Sequence, residues 1–394
     1  MNIILFDQCR NNLLPFTYTR PTAEFRCGIL TLKEKWEKRI LEANFSFLTE
    51  DYLTEKYPVT YAESNVYING TILSNDNLVS RLHLLQEGEL LFDRLTDKIL
   101  AVRTAEQFEK GEFDLDKFKL VDFSEPYLCI DNIWDIFSKN KKAIEEDYEL
   151  LTHNRISQPL DSTNTHIGNQ LFIEEGAKIQ AAVLNSTSGP IYIGKNAEVM
   201  EGSVVRGGLA LCEGATLKLA TKIYGPTTVG PHSKVGGEVN NSVIFGYSNK
   251  GHDGFLGNSV LGEWCNLGAD TNVSNLKNNY AEIKLWNFEK RGFKPTGLQF
   301  CGMMMGDHSK SGINTMFNTA TVVGVSANIY GGGFPRNYIA SFAWGGAEKW
   351  MVYRFDKAME VADKVMERRG VKLDEKEKAI LKHVFEETTG DRNF

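Results

Sequence analysis

Chemistry is densest between residues 251 and 275, in GHDGFLGNSVLGEWCNLGADTNVSN, where His252 is followed by Asn266 and Asn275 among closely spaced glycines. Imidazole titrates near neutrality, so it can take up and return a proton within one catalytic cycle. Carboxamides donate and accept together, which suits them to sugar hydroxyls and amines. A second polar group follows in CGMMMGDHSKSGINTMFNT, with Asp307, His308, Lys310, Asn314 and Asn318 at expected corner positions. His153, His166, His232, His252 and His308 include no pair five apart, so a three-histidine zinc hydratase is disfavoured and no metal site is expected.

Those side chains need a rigid frame, and the frame is written in a beat of six. Ile193, Val199, Val205, Leu211, Leu217, Ile223, Val229 and Val235 recur without a miss, with small residues four places on at Ala197, Ser203, Ala215, Thr221, Thr227 and Ser233. Three short strands per turn of a left-handed parallel β-helix satisfy this period, each aliphatic side chain pointing into the prism. Ile167, Ile173 and Ile179 precede the run across one phase slip. A second slip follows Val235, and the beat is read again at Phe255, Leu261, Leu267 and Val273. After an excursion over 274–300, coils return with Phe317, Val323 and Ile329.

The domains expected are an α/β region over 1–155, the β-helix over 156–345 and a helical tail over 346–394. The first should hold a strand at Ile3 to Phe6, a helix around Thr31 to Glu42, a strand at Val66 to Asn69 and a helix near Ile133 to Leu150. The tail should break at Gly370 and Val371.

The chain has 394 residues, 42% of them hydrophobic, with no apolar run long enough for a membrane span. The opening MNIILFDQCR lacks a basic segment and cleavage site, so a cytoplasmic location is expected. Six scattered cysteines suit reduced thiols, and a net charge of −7 disfavours nucleic acid as a partner.

The 251–275 segment resembles the acetyltransferase stretch of the bifunctional GlmU-like family, which joins glucosamine-1-phosphate N-acetyltransferase to N-acetylglucosamine-1-phosphate uridyltransferase. The matching residues are Gly251-His252, Leu256-Gly257, Leu261-Gly262, Asn266-Leu267-Gly268-Ala269 and Asn275. The resemblance implies His252 as general base and Asn266 and Asn275 as substrate contacts. It also implies acetyl-CoA as co-substrate, an amino-sugar phosphate or nucleotide sugar as partner, and a homotrimer. A backbone N–H near Gly268 or Ala269 would meet the oxyanion, and Lys310 and Arg336 would serve coenzyme A phosphates. The family's tyrosine is replaced by Phe255, and its sugar-phosphate lysine falls near Asn240 and Asn241. Glu238 corresponds to the acid before that lysine, Arg206 resembles the phosphate-binding arginine in local wording, and Lys222 or Lys250 is read as the replacement charge.

The first segment is a fainter echo. Arg10 to Pro21, RNNLLPFTYTRP, resembles sugar nucleotidyltransferases after their first strand, with Arg10, Thr17 and Arg20 as the nucleotide-site remnant. The loop Phe6-Asp7-Gln8-Cys9-Arg10 holds no glycine, and Gly70-Thr71 stands where that family has a Mg²⁺-binding Gly-Asp. Mg²⁺ is therefore expected only if this region is active. The resemblance leaves two functions: sugar N-acetyl transfer with a degenerate head, and sugar-1-phosphate nucleotidyl transfer with the β-helix as an assembly device.

Overall fold

A computed structural model describes residues 1–109 and 111–394. The chain divides into two compact units. One comprises Met1–Leu13, Thr19–Phe25 and Leu30–Asp131; the other comprises Leu14–Tyr18, Arg26–Ile29 and Asn132–Phe394.

The first unit is built on a six-stranded mixed sheet in the order Asn44–Leu48, Asn2–Phe6, Asn65–Asn69, Lys98–Thr104, Glu89–Asp93, Lys119–Asp122. The alternation of a buried strand is plain in Asn2–Phe6. Ile3 and Leu5 join Trp36, Val66 and Ile68 in one core cluster, while Ile4 and Phe6 join Tyr67, Leu90 and Val102 in another. The helix Leu32–Arg39 begins at Thr31, which forms a capping box with Glu34. This is the helix expected around Thr31 to Glu42, shortened at its C-terminal end.

The second unit is the β-helix. Its three sheets run along a prism: a first of nine parallel strands, from Leu171–Ile173 to Tyr338–Ile339; a second of ten, from Lys178–Ile179 to Trp350–Val352, parallel except for that last strand, which pairs antiparallel with Ala343–Gly345; and a third of six parallel strands, from Thr165–Ile167 to Phe255–Gly257. All eight residues of the unbroken beat, Ile193 to Val235, lie in one buried cluster. Two beat positions are corrected. Ile167 is 45% exposed, because Leu184 pairs with His166 and turns Ile167 outward. Beyond the second slip Leu256, not Phe255, points inward, in register with Val239. The inward series there is Val239, Ile244, Lys250, Leu256 and Leu261, and a lysine in an aliphatic column hid it.

Two prism faces are covered from within this unit. Strands Ile191–Ile193, Leu209–Leu211 and Thr227–Val229 of the first sheet are buried at every residue. Over them, Asn140 of the helix Asn140–Thr152 donates to Pro226 O at 3.1 Å, and Thr228 donates to Gly28 O at 2.9 Å. At the corner between first and second sheets, His232, Tyr247, Trp264 and His308 all adopt positive φ and stack in sequence. Helices Phe355–Glu367 and Glu375–Glu387 pack against this ladder through Met359, Ala362, Leu381 and Val384, with Gly370 at φ 71° between them. The third sheet alternates outward-exposed with inward-buried residues in Val204–Arg206 and Lys222–Tyr224, the mark of an open face.

The excursion over 274–300 contains a hairpin, Lys284–Asn287 with Gly292–Pro295, closed at its base by a Leu276–Phe300 bridge. No helix among the described residues is long and apolar enough to cross a membrane. Cys27, Cys212, Cys265 and Cys301 are buried.

Candidate active site

Outward side chains of the second sheet form a polar ladder. Register pairs Lys234 with Asn249, Asn249 with Asn266, Asn266 with Lys310, and Lys310 with Asn328. This ladder floors a cavity of about 700 Å³. His252 enters from the corner between the second and third sheets, and the helix Phe355–Glu367 closes the far side through Val361, Val365 and the following Arg368 and Arg369. The cavity thus joins His252, Asn266, Gly268, Ala269 and Lys310 from the sequence reading.

It also contains bases that the reading missed: Lys218, Lys234, Arg368 and Arg369. Their signal lay in the sequence, since Lys218 and Lys234 directly flank the inward Leu217 and Val235 and so point outward. Nothing in the pattern says that the Arg368-Arg369 pair, well over a hundred residues away, returns to the same place. Arg369 donates to Asn249 Oδ1 at 2.8 Å. Burial and then the neighbouring Arg369, Lys218 and Arg368 charges hold the Lys234 ammonium below its ordinary range. Burial likewise pushes Lys310 down to about 8, while its Nζ donates to His308 O at 2.8 Å. Like charges kept this close and partly desolvated fit a polyanionic ligand that relieves their repulsion.

The His252 imidazole is exposed and makes no side-chain hydrogen bond among the described residues. The two oxyanion candidates separate. The Gly268 N–H is committed to Ser311 O at 3.0 Å in the ladder, whereas the Ala269 N–H has no acceptor among the described residues. Of the two amides, that of Ala269 alone is left to donate into the cavity.

Several expected site residues lie elsewhere. Arg206, Tyr224 and Asn240 are in register on the outer face of the third sheet, and Tyr224 donates to Glu238 at 2.5 Å. Arg206 lines a separate groove of about 410 Å³ with Lys141, Gly207, Gly208 and Gly225. Its strand is three places from Phe255–Gly257, which follows His252, so about 14 Å of sheet intervenes in one chain. Asn275 opens the excursion and donates to Asn258 Oδ1 at 2.8 Å, at the corner between third and first sheets. Arg336 lines a small cleft with Tyr338, Trp350 and Asp391 and is absent from the cavity. Of the replacement charges, Lys222 is exposed on the third sheet, while Lys250 is only 2% exposed and inward. Lys250 cannot meet a phosphate on the surface.

The N-terminal echo is arranged differently. Arg10 donates to Asp7 at 3.1 Å and to the Tyr52 hydroxyl at 2.6 Å. Asp7 also accepts from Thr22 N at 2.7 Å and from Thr49 Oγ1 at 2.5 Å. The loop is closed on itself, with Cys9 at φ 57°, a conformation that glycine adopts more readily. Arg20 and Thr17 are both buried, and Thr17 belongs to the other compact unit. Thr71 is tied through N and Oγ1 to Asn69 Oδ1, at 3.0 and 2.8 Å. Residue 71 is a threonine and not a carboxylate, and Asp7 has its oxygens engaged, so Asp7 and Thr71 do not fit a Mg²⁺ ion there. Among the described residues no group of three or more His, Cys, Asp or Glu is placed to hold a metal.

Fold and site together define a chain with an α/β sugar-nucleotidyltransferase-type head and a parallel β-helix bearing a histidine-containing, basic cavity. Residues 3–156 match the sugar nucleotidyl transferase family. Over 236 residues the chain is 28% identical to the bifunctional sugar-1-phosphate nucleotidylyltransferase/acetyltransferase of Sulfurisphaera tokodaii, covering 57% of this chain and 52% of that protein. The match therefore spans about half of that relative's length. Over 322 residues it is 25% identical to the bifunctional protein GlmU of Methanocaldococcus jannaschii, covering 75% and 72%. Among solved structures, the polySia specific acetyltransferase NeuO aligns at 10% identity and a TM-score of 0.24, over 49% of this chain and 86% of that one. The chain is thus similar to bifunctional nucleotidyltransferase/acetyltransferase proteins, with a head that matches the sugar nucleotidyl transferase family.

Proposed function

We propose that this protein is an acetyl-CoA-dependent N-acetyltransferase acting on an amino-sugar phosphate of the glucosamine-1-phosphate type. The observation that carries the reading is the single cavity holding His252, Asn266, a free Ala269 amide and five basic side chains. Acetyl transfer needs these parts together. The amine nitrogen attacks the thioester carbonyl, and as the C–N bond forms its proton passes to His252. The Ala269 N–H faces the oxygen that gains negative charge. When the C–S bond breaks, the leaving thiolate takes the proton back from His252. Lys218, Lys234, Lys310, Arg368 and Arg369 supply charge for the donor's phosphates.

The active unit is a homotrimer, in which neighbours supply what one chain keeps apart. The open outer face of the third sheet supports this, since it carries Arg206, Glu238 and Asn240 between the His252 and Asn275 corners. The test is coenzyme A thiol release from acetyl-CoA with glucosamine-1-phosphate or UDP-glucosamine as acceptor, on protein whose mass in solution is measured. Absence of release with every amino-sugar acceptor would sink the proposal.

Nucleotidyl transfer by the head is the second reading, favoured by the family match over 3–156. Pyrophosphate release from UTP and N-acetylglucosamine-1-phosphate would establish it. The self-bonded Asp7–Arg10 loop and the missing carboxylate at Thr71 speak against it.

A further inference from the structure

Every coil must satisfy the carbonyls that turn inward at the corner between the second and third sheets. In four coils a hydroxyl two places before the third-sheet inward residue does so. Ser203 and Thr221 both donate to Lys218 O, at 3.0 and 2.6 Å. Thr271 donates to Gly268 O at 2.8 Å and Thr315 to Gly312 O at 2.9 Å. In the two coils between Thr221 and Thr271 the equivalent positions are Gly237 and Gly254, which carry no side chain.

Lys250 fills the gap. It occupies the second-sheet inward column beside Val235, and its Nζ donates to Gly236 O at 2.9 Å and to His252 O at 2.7 Å. One ammonium thereby joins the two glycine-bearing corners, including the one that presents the catalytic imidazole. An ammonium is far costlier to bury than a threonine hydroxyl, and only a donor set with good geometry offsets that cost. Three donors on a long stem reach two corners, which a threonine cannot do.

We propose that Lys250 is a positioning residue for His252, its buried ammonium holding the Gly236 and His252 carbonyls and so fixing the corner from which the imidazole works. This rests on the acetyltransferase reading, in which His252 is the base. Burial, and to a smaller extent Lys222, push the Lys250 ammonium below its ordinary range, while Asp253 and Asp270 partly offset them.

The experiment compares Lys250→Met, which keeps the volume and removes the donors, with Lys250→Gln, which keeps a shorter donor. Both are made in the full chain. Expected for Lys250→Met is a kcat lowered about tenfold to a hundredfold with KM for acetyl-CoA little changed, as for a reacting group misplaced by about 1 Å. Lys250→Gln should recover part of that loss. Melting temperature should hold or rise in Lys250→Met, because a buried charge has gone. A merely structural lysine would lower stability and activity together. Amide exchange supplies an independent readout: Glu238, Phe255 and Asp270, whose N–H groups bond to the corner or its flank, should exchange faster than Ala220 and Thr221. Unchanged exchange at those three amides, or faster exchange with kcat retained, overturns the proposal. An inactive wild type would instead sink the acetyl-transfer reading, and the exchange rates would still decide whether Lys250 holds the corner.

Discussion

The loop after the first strand and the His252 corner both carry residues typed for chemistry, and they use those residues in opposite ways. Asp7 spends its oxygens on Arg10, Thr22 and Thr49, and Arg10 is further bound by Tyr52. At the β-helix corner the imidazole of His252 is free, and the work of holding the backbone falls to Lys250 on the inside. A polar group already paired with its own fold has little left for a substrate. A site is marked by reactive groups left unspent while other residues bear the structural load.

Four experiments would break or sharpen this contrast. The largest effect is expected of His252→Ala, which should lower acetyl transfer about 10²- to 10⁴-fold without altering the mass in solution. Thiol release measures the first and light scattering the second, and full activity in the variant would remove the corner from the chemistry. Next is Arg368→Ala combined with Arg369→Ala, expected to raise KM for acetyl-CoA about tenfold or more with kcat nearly kept, and to flatten the dependence of KM on salt.

A smaller effect, of the opposite kind, is expected of Arg10→Ala. It should leave acetyl transfer intact and cost about 1–3 kcal/mol in urea unfolding, by stripping Asp7 and Tyr52 of a charged partner. Loss of a nucleotidyl-transfer activity without loss of stability would reverse the contrast.

The smallest effect is in pH. The Lys250 ammonium is pushed down to about 8 by burial, against an ordinary value near 10.5. Between these values the unfolded chain binds the proton and the folded chain does not, so the lysine's contribution to stability should rise with pH across that window. Parallel unfolding curves for wild type and Lys250→Met at pH 7 and 10 would show the wild type gaining relative to the variant. Parallel behaviour at both would mean that the ammonium is not desolvated.

Much of the fold was legible because a repeat writes the same physical demand many times. Where the demand was met by an unexpected residue type, legibility failed. Lys250 occupies an aliphatic position, so the beat was picked up one residue early, at Phe255 instead of Leu256. Ile167 matched the spacing but lies at the open end of the prism, where no coil beyond it requires an inward aliphatic.

The candidate site divides along the same line. His252, Asn266 and Ala269 are close in sequence, and one coil and a half of a regular prism places them together. Asn240 and Asn275 are also near in sequence, yet they fall on another face or corner, since a few residues turn the chain through a prism angle, and Arg206 lies several coils earlier on the third sheet. The sequence by itself determined the period, hence the prism and the outward or inward sense of most side chains, because burial of an aliphatic every sixth residue admits few other solutions. Only the tertiary structure decided that Arg368 and Arg369 close the cavity, that Gly268 is already bonded, and that Lys250 turns inward to the carbonyls behind His252. Those outcomes depend on contacts between distant segments and on which polar groups the backbone has already satisfied, and neither is expressed in local spacing.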